Sequence, residues 1–387
     1  MALQILHLAS AHAATDPRIA EKECRTLAEA GHDVAFVVPH HRDEILNGVR
    51  ILAVPRPRDG KDRLLHTTRA VVRRALAAAR GPETVFHVHE ADLLPVVLPL
   101  AARGRRVVYD AHEDTPRQTA HQAWIPGPLK PPAAVLYAGL EALAGRLCAG
   151  VVAATPTIAD RYPATKTALV RNFPVLTDAP VPPWAAPSPS GGVAREALVA
   201  YVGAVTEARG AAEMVRAAAL LPVGARLAVA GTPFPASLPE RLAGLPGSDR
   251  TDLLGPLARP DVAALLARAR VGLVALHATP QYVDAYPTKL FEYMAAGLPV
   301  VATDVPLWRS VVDGAGCGLL VDPLDPAAIA AACTRLLTDD ALAERMGAAG
   351  RAAAFERFAW RGEGERLVAF YAALASGRPP GQPRPAL

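Results

Sequence analysis

Two doubly wound α/β domains, each on a parallel sheet and facing one another across a cleft, are what this sequence predicts. Three observations carry that expectation. Short β-rich runs alternate with Ala-, Leu- and Arg-rich helical stretches along most of the 387 residues. A segment dense in Pro, Ser and Gly, Pro174 to Gly192, interrupts the alternation near the middle. The same alternation then restarts, and a chain of this length holds two cores of ordinary size.

In chain order, the β-rich runs are Gln4–Leu8, Val34–Val38, Ile51–Val54, Val85–His89, Val107–Asp110, Val151–Ala154 and Ala168–Val170. Helical stretches such as Ile19–Ala30 and His66–Arg80 lie between them. Ala133–Val152 carries Glu141 and Arg146, so it reads as an amphipathic helix running into a strand. No apolar run reaches the roughly eighteen residues that would span a bilayer. Beyond the break the strands are Leu198–Gly203, Arg226–Ala230, Thr251–Leu254, Val271–Leu276, Val300–Thr303 and Gly318–Val321. The expected domains are therefore 1–175 and 196–358, with a linker over 176–195. A helix over 359–375 is expected to pack back on the first domain, and the proline-rich tail 376–387 to be disordered.

Composition excludes several classes. Hydrophobic residues make up 51% and charged ones 20%, with a net charge of +4. That small excess admits an anionic substrate or weak contact with an acidic membrane surface, and makes no case for nucleic acid. Met1 to Leu8 lacks a basic leader and a cleavage site and reads as a strand, so the expected location is cytoplasmic, with the inner membrane face as the surface for any peripheral contact. Cys24, Cys148, Cys317 and Cys333 form no CxxC pair, so neither zinc nor a disulfide framework is indicated. His87 and His89 alternate on a strand and point the same way, towards a cleft or into a polar network. No third ligand at metal-like spacing accompanies them, and no metal is expected. Gly314-Ala-Gly316-Cys-Gly318 precedes a strand, whereas a dinucleotide fingerprint must follow one.

The most informative stretch runs from Asp284 through Pro287, Thr288, Lys289, Glu292 and Gly297 to Val301. Pro287 suits a first helical turn, where its missing N–H has no intrahelical partner. Gly297 suits a left-handed helix end, and Pro299 prevents the helix from resuming. The free N–H groups and partial positive charge of such a helix start make a site for a diphosphate. Glu292, four residues after Thr288, lies on the same face, where a carboxylate accepts hydrogen bonds from vicinal ribose hydroxyls. A solvated helix glutamate and a turn aspartate are the plain structural alternative for Glu292 and Asp284.

These residues resemble the retaining nucleotide-sugar glycosyltransferases of the GT-B fold, family 4 type, which include sucrose synthase and many bacterial cell-envelope enzymes. Four segments carry the resemblance. Tyr201-Val-Gly203-Ala-Val-Thr-Glu-Ala-Arg209-Gly210 is similar to the strand–loop–helix that opens the family's second domain. Asp284 to Glu292, with the helix and strand to Val301, matches its pair of acids. Tyr109-Asp-Ala-His112-Glu113-Asp-Thr-Pro116 resembles the first-domain loop bearing the active-site histidine. Asp16-Pro-Arg18, followed by Leu27 to Val34, resembles the opening β-loop-α unit of one bacterial branch.

The resemblance implies two Rossmann-like domains that close on a nucleoside diphosphate sugar, by default a UDP-sugar, with no other cofactor. Arg209 would stand for the family's lysine on the diphosphate, with Thr288 and the amides around Pro287–Lys289. Glu292 would hold the ribose, and Asp284 would meet the sugar hydroxyls or position the reacting carbon. His112 would contact the sugar from the first domain, and Gly255 would meet the nucleobase through its backbone. Asp16, Arg18, His89 and Glu113 fall on the acceptor side; a helix cap and a surface charge are the alternatives for Asp16 and Arg18. The acceptor would be a hydroxyl of an envelope glycan, a lipid-linked sugar or a small natural product. Two departures stand out. Ala204 occupies the place of a second basic residue after Gly203, with Lys289 as its substitute, and the loop Ala9 to Arg18 lacks the family's paired glycines. A sugar-nucleotide epimerase of the same fold and an inactive nucleotide-sugar-binding subunit remain as other readings.

Overall fold

The computed structural model describes residues 2–119, 125–176, 195–280 and 282–381. It divides into two compact units, one formed by the residues up to Asn172 together with those from Trp360 onward, the other by Phe173–Ala359.

The first unit is built on an eight-stranded sheet. Its strands are β1 (Gln4–Leu8), β2 (Asp33–Pro39), β3 (Glu44–Leu46), β4 (Val49–Val54), β5 (Val85–Val88), β6 (Arg106–Ala111), β7 (Gly150–Ala153) and β8 (Thr167–Leu169), in spatial order β3-β4-β2-β1-β5-β6-β7-β8. All neighbours pair in parallel except β3, which is antiparallel to β4. The strand β3 is not among the β-rich runs expected from the sequence. Its signal was nonetheless present in Asn47-Gly48, where positive φ values of 49° and 82° make the tight turn of a hairpin. Central strands such as β1 and β5 are buried along almost their whole length, because apolar layers cover both sheet faces.

The helix Trp360–Ala375 belongs to this unit. Phe370 lies so close to Gly150 that a Cβ there would come within 2.5 Å of its ring. Glu363, also on that helix, accepts from the Arg171 backbone N–H at 2.8 Å and from its guanidinium at 2.7 Å. The tail departs from expectation in its first residues. Pro380 is buried beside Gly150, and the Gly381 amide donates to the Thr165 carbonyl at 2.9 Å, so an ordered contact replaces the expected disorder as far as Gly381. Residues 382–387 lie outside the described residues, as does the linker over 177–194.

The second unit has a six-stranded, wholly parallel sheet. It consists of β9 (Leu198–Val202), β10 (Arg226–Ala230), β11 (Thr251–Gly255), β12 (Val271–Val274), β13 (Val300–Thr303) and β14 (Gly318–Val321), in order β11-β10-β9-β12-β13-β14. Phe173 joins an aromatic cluster with Tyr286, Phe291 and Phe358, so this unit begins before residue 175. Arg195, assigned to the linker from sequence, is buried and donates to the carbonyls of Leu266, Ala269 and Ala296. In each unit the strand order reverses beside the first strand, between β1 and β5 and between β9 and β12. Ligands of doubly wound sheets bind beyond the carboxyl ends of the strands at that reversal. No helix among the described residues is long and apolar enough to cross a membrane.

Candidate functional site

In the second unit, the loop after β9 turns at Gly203 with φ of 129°. Its amide donates to the Ala230 carbonyl at 2.8 Å, and a Cβ on it would stand 2.9 Å from Lys289 Nζ. Only a glycine lets the lysine tip rest against this backbone. Gly231 crosses just behind; its amide donates to the Gly255 carbonyl at 2.7 Å, where the β10–β11 register shifts. Gly203, Gly231 and Gly255 thereby form one stack of bare backbone. A short helical turn, Glu207–Arg209, then leads into Gly210 and the helix Ala211–Ala218. Arg209 is half-buried, with its Nε 3.3 Å from the Tyr282 hydroxyl and its guanidinium 5.7 Å from that ring centre.

The second element is the helix Thr288–Ala295. Pro287 is its N-cap, one position earlier than expected, and no side chain caps the first turn. Gly297 closes it at φ of 69°, and β13 follows. The helix is tied to the β9 loop because the Val202 amide donates to the Tyr293 hydroxyl at 2.7 Å. The Tyr201 hydroxyl donates to the Ala204 carbonyl at the same distance. The preceding loop carries the half-buried Asp284 and is held by Trp308, whose Nε1 donates to the Ala285 carbonyl at 2.8 Å. Thr288 is half-buried at the helix start, and Glu292 is exposed one turn further on.

Lys289 is the unusual member. It is 6% exposed, its Nζ makes no hydrogen bond among the described residues, and it lies 3.6 Å from the centre of the Tyr201 ring. Burial first, and then the neighbouring Arg209, hold its pKa well below that of a free lysine, against an upward pull from Glu292. A ring face contributes about 2 kcal/mol to a desolvated cation, whereas burying an ammonium costs several. Two cationic side chains thus converge on Gly203 with one exposed carboxylate near them. The loop Ala204 position is exposed and carries no charge, and Lys289 Nζ lies beside its neighbour Gly203.

In the first unit, a cavity of about 200 Å³ opens beyond the carboxyl ends of β1, β5 and β6. His12, Arg63, Glu90, Asp92, His112 and Tyr137 are among its lining residues. His112 follows β6, and its Nδ1 is 3.4 Å from Asp110 Oδ1. Asp110 is fully buried, with Arg18 Nη2 at 3.0 Å and His89 Nδ1 at 3.3 Å. Arg18 and the two histidines hold its carboxylate well below the usual range, outweighing the burial that raises it. His12 missed notice as a site residue, although it lies in the loop that lacks glycines. Its Nδ1 is 2.9 Å from Asp16 Oδ2, and its Nε2 is 3.7 Å from Glu90 Oε1. Burial pulls its pKa down, but the hydrogen bond to Asp16 and the charge of Glu90 raise it to about 9. Burial also raises the Glu90 carboxyl, opposed by His12 and by the amides of Ser10 and Ala11, which donate to it.

One acceptor-side expectation needs correction, and for another, Asp16, the structure shows the helix-cap alternative. Arg18 is 5% exposed and committed to Asp110, Glu23 (3.0 Å) and the Val170 carbonyl, so it supports the site from behind. Asp16 caps the following helix by accepting from the Arg18 and Ile19 amides, both at 2.9 Å, while orienting His12. Glu113 is exposed at the cavity and His89, 2% exposed, forms part of its wall. The third ligand that spacing did not offer His87 and His89 comes from the next strand. His7 pairs with His87 in register, and with Glu23 the four side chains bring ligand atoms within 4.8 Å of one another. Yet His7 Nδ1 and His89 Nε2 face each other at 2.9 Å as a hydrogen bond, Tyr371 Oη meets His87 Nδ1 at 2.7 Å, and Arg18 already supplies a cation. The set is better read as a polar core network.

With this geometry in place, comparison with known proteins is informative. Residues 18–167 match the model of Glycosyltransferase Family 4, and residues 187–353 that of Glycosyl transferases group 1. The chain belongs to the GT-B glycosyltransferases of the family 4 type. The MMP alpha-(1->4)-mannosyltransferase of Mycolicibacterium hassiacum is 30% identical over 187 residues, 47% of this chain and 44% of that one. The D-inositol 3-phosphate glycosyltransferase of Xylanimonas cellulosilytica is 33% identical over 187 residues, 47% and 43%. The matched segments thus span less than half the length of these curated relatives. Among solved structures, sucrose-phosphate synthase from Thermosynechococcus elongatus aligns with a TM-score of 0.76 at 20% identity, covering 97% of this chain and all (100%) of that one. Anabaena HepE with UDP and glucose aligns with a TM-score of 0.71 at 16% identity, covering 96% and 100%. These likenesses establish the GT-B fold of this family member.

Proposed function

We propose that the protein is a retaining glycosyltransferase that moves a sugar from a nucleoside diphosphate sugar, UDP-sugar by default, to an acceptor hydroxyl. The observation that carries the proposal is the convergence of Arg209 and Lys289 on the bare backbone at Gly203, beside an uncapped helix start. The leaving diphosphate gains charge as the glycosidic bond breaks, and fixed donors aimed at that charge are the effective catalytic device. Arg209 offers a forked cation, Lys289 a point charge, and the amides of Thr288 and Lys289 the helix-terminal N–H groups. With both side chains and the helix end to neutralise the leaving group, the transfer is proposed to run without a metal. Glu292 is assigned to the ribose hydroxyls, Asp284 to the sugar, and Gly255 to the base through its backbone.

In the first unit, His112 is assigned to the sugar, and the cavity with His12, Glu90 and Glu113 to the acceptor. In this retaining mechanism the leaving phosphate oxygen itself takes the acceptor proton, and no side chain is assigned as nucleophile. UDP in the HepE structures supports the default base, and the names of the relatives support a polyhydroxylated acceptor such as a glycan, a lipid-linked sugar or a small polyol. Incubation with UDP-, GDP-, ADP- and TDP-sugars, with and without a chelator, tests the reading by nucleotide release and product NMR. Acceptor-dependent release of one diphosphate, retained anomeric configuration and loss of turnover in Arg209→Ala are expected. Acceptor-independent conversion of the donor points instead to an epimerase, and binding without turnover to the accessory subunit that Ala204 suggests.

A further inference from the structure

Among the described residues the amine of Lys289 has no hydrogen-bond acceptor, and this sets it apart from Arg18, Arg171 and Arg195. Arg18 and Arg171 each face carboxylates at hydrogen-bond distance, and Arg195 donates to three backbone carbonyls. Lys289 Nζ instead meets a tyrosine face and the Gly203 backbone, and a second cation, Arg209, approaches the same side of that glycine: a Cβ there would stand 2.9 Å from Lys289 Nζ and 3.6 Å from Arg209 Nη1. The titratable groups acting on it are Arg209 from the turn after β9, Tyr201 from β9 and Glu292 from its own helix. Tyr282 stands behind Arg209, and Tyr293 is engaged with the Val202 amide. Of these, the Tyr201 ring face and Glu292 favour the charged amine, and Glu292 is exposed to screening by water. An anion entering between Arg209 and Lys289 changes that balance, because it supplies both the missing acceptor and the missing negative charge.

We propose that Lys289 rests as a neutral amine in the empty protein and takes up one proton as a nucleoside diphosphate binds, so that donor affinity is coupled to pH through this residue. The inference rests on the diphosphate site proposed above. Its direction agrees with the depressed pKa of the buried amine. Between the pKa of the empty site and that of the occupied one, affinity falls about tenfold for each unit rise in pH. The diphosphate leaves without its sugar, so product release is where the proton returns to solvent.

Titration calorimetry of the full chain with UDP, GDP, ADP and TDP at pH 8 tests this, using buffers of different ionisation heat. At that pH the terminal phosphate, with a pKa of about 6, is already ionised and contributes no proton of its own. The nucleotide that binds should take up about one proton, read from the dependence of heat on buffer. Lys289→Arg carries a permanent charge and should bind with no uptake. Lys289→Met should bind roughly 10- to 100-fold more weakly, also without uptake. Binding by the wild type with no proton exchange, or uptake that persists in Lys289→Arg, overturns the coupling while leaving the diphosphate site standing. Failure of every diphosphate to bind overturns the site itself.

Discussion

The two units bury charge in opposite ways. In the first, Arg18 lies between Asp110 and Glu23, 3.0 Å from each, with His7, His87 and His89 packed beside them. In the second, Arg209 and Lys289 crowd one glycine, and the amine has no hydrogen-bond acceptor among the described residues. A buried charge costs several kcal/mol unless it is paired, so the first cluster reads as scaffold and the second as a receptor. The contrast separates residues that look alike in sequence. Arg18 and Arg209 both follow the first strand of a unit, yet one is paired with buried carboxylates and the other is the proposed contact for the diphosphate.

Arg18→Met attacks the scaffold and should have the largest effect. It strands the buried Asp110 carboxylate and removes the cation beside Glu23, whose carboxyl burial and Asp110 already push up. Breaking such a set costs about 3–5 kcal/mol, roughly 10 °C of melting temperature for a domain of this size. An unchanged melting curve would show that Asp110 and Glu23 are relieved in another way. Arg209→Ala attacks the receptor and should leave the melting temperature nearly unchanged while weakening diphosphate binding by about 10- to 100-fold. A large loss of stability with intact binding would reverse the two roles. His12 gives a smaller, pH-dependent effect. Its folded pKa, about 9, lies above the unfolded value of about 6.5. Its contribution is therefore fully present below pH 6.5 and is lost as pH rises through 9, on the order of 1–2 kcal/mol after allowing for its partial exposure. Denaturant melts of wild type and His12→Gln across that window should converge at high pH, and parallel curves would contradict the assignment.

Much of this was legible in the sequence. The strand runs, the helix opening at Pro287 and closing at Gly297, and the order of the motifs are local patterns, set by apolar periodicity and by residues with special backbone demands. The hairpin at Asn47-Gly48 was legible too, but its three-residue strand was too short for a periodic signal. What sequence spacing does not carry is which side chains meet across strands. His7 reaches His87 through β1–β5 pairing, and Asp110 reaches Arg18 from 92 positions away. The burial of Arg18 and the missing partner of Lys289 follow from such contacts, so neither is visible in a motif. Conversely, Lys289 as a substitute cation for Ala204 was proposed from the motif, and the structure adds that its Nζ makes no hydrogen bond among the described residues.

The smallest expected effect is also the most telling. Replacing Lys289 by Met removes a buried amine that has no hydrogen-bond acceptor among the described residues, so the empty protein should gain about 1 kcal/mol. A diphosphate at roughly a hundred times its dissociation constant adds about 2.7 kcal/mol to the wild type. One set of melting curves, for wild type and Lys289→Met with and without the best of UDP, GDP, ADP and TDP, therefore tests whether the second unit holds a receptor for diphosphate. The account predicts that the variant melts higher than wild type when empty and gains less from the ligand at the same concentration. A variant that melts lower when empty, yet gains as much from the diphosphate as wild type, would mark Lys289 as part of the scaffold and contradict it.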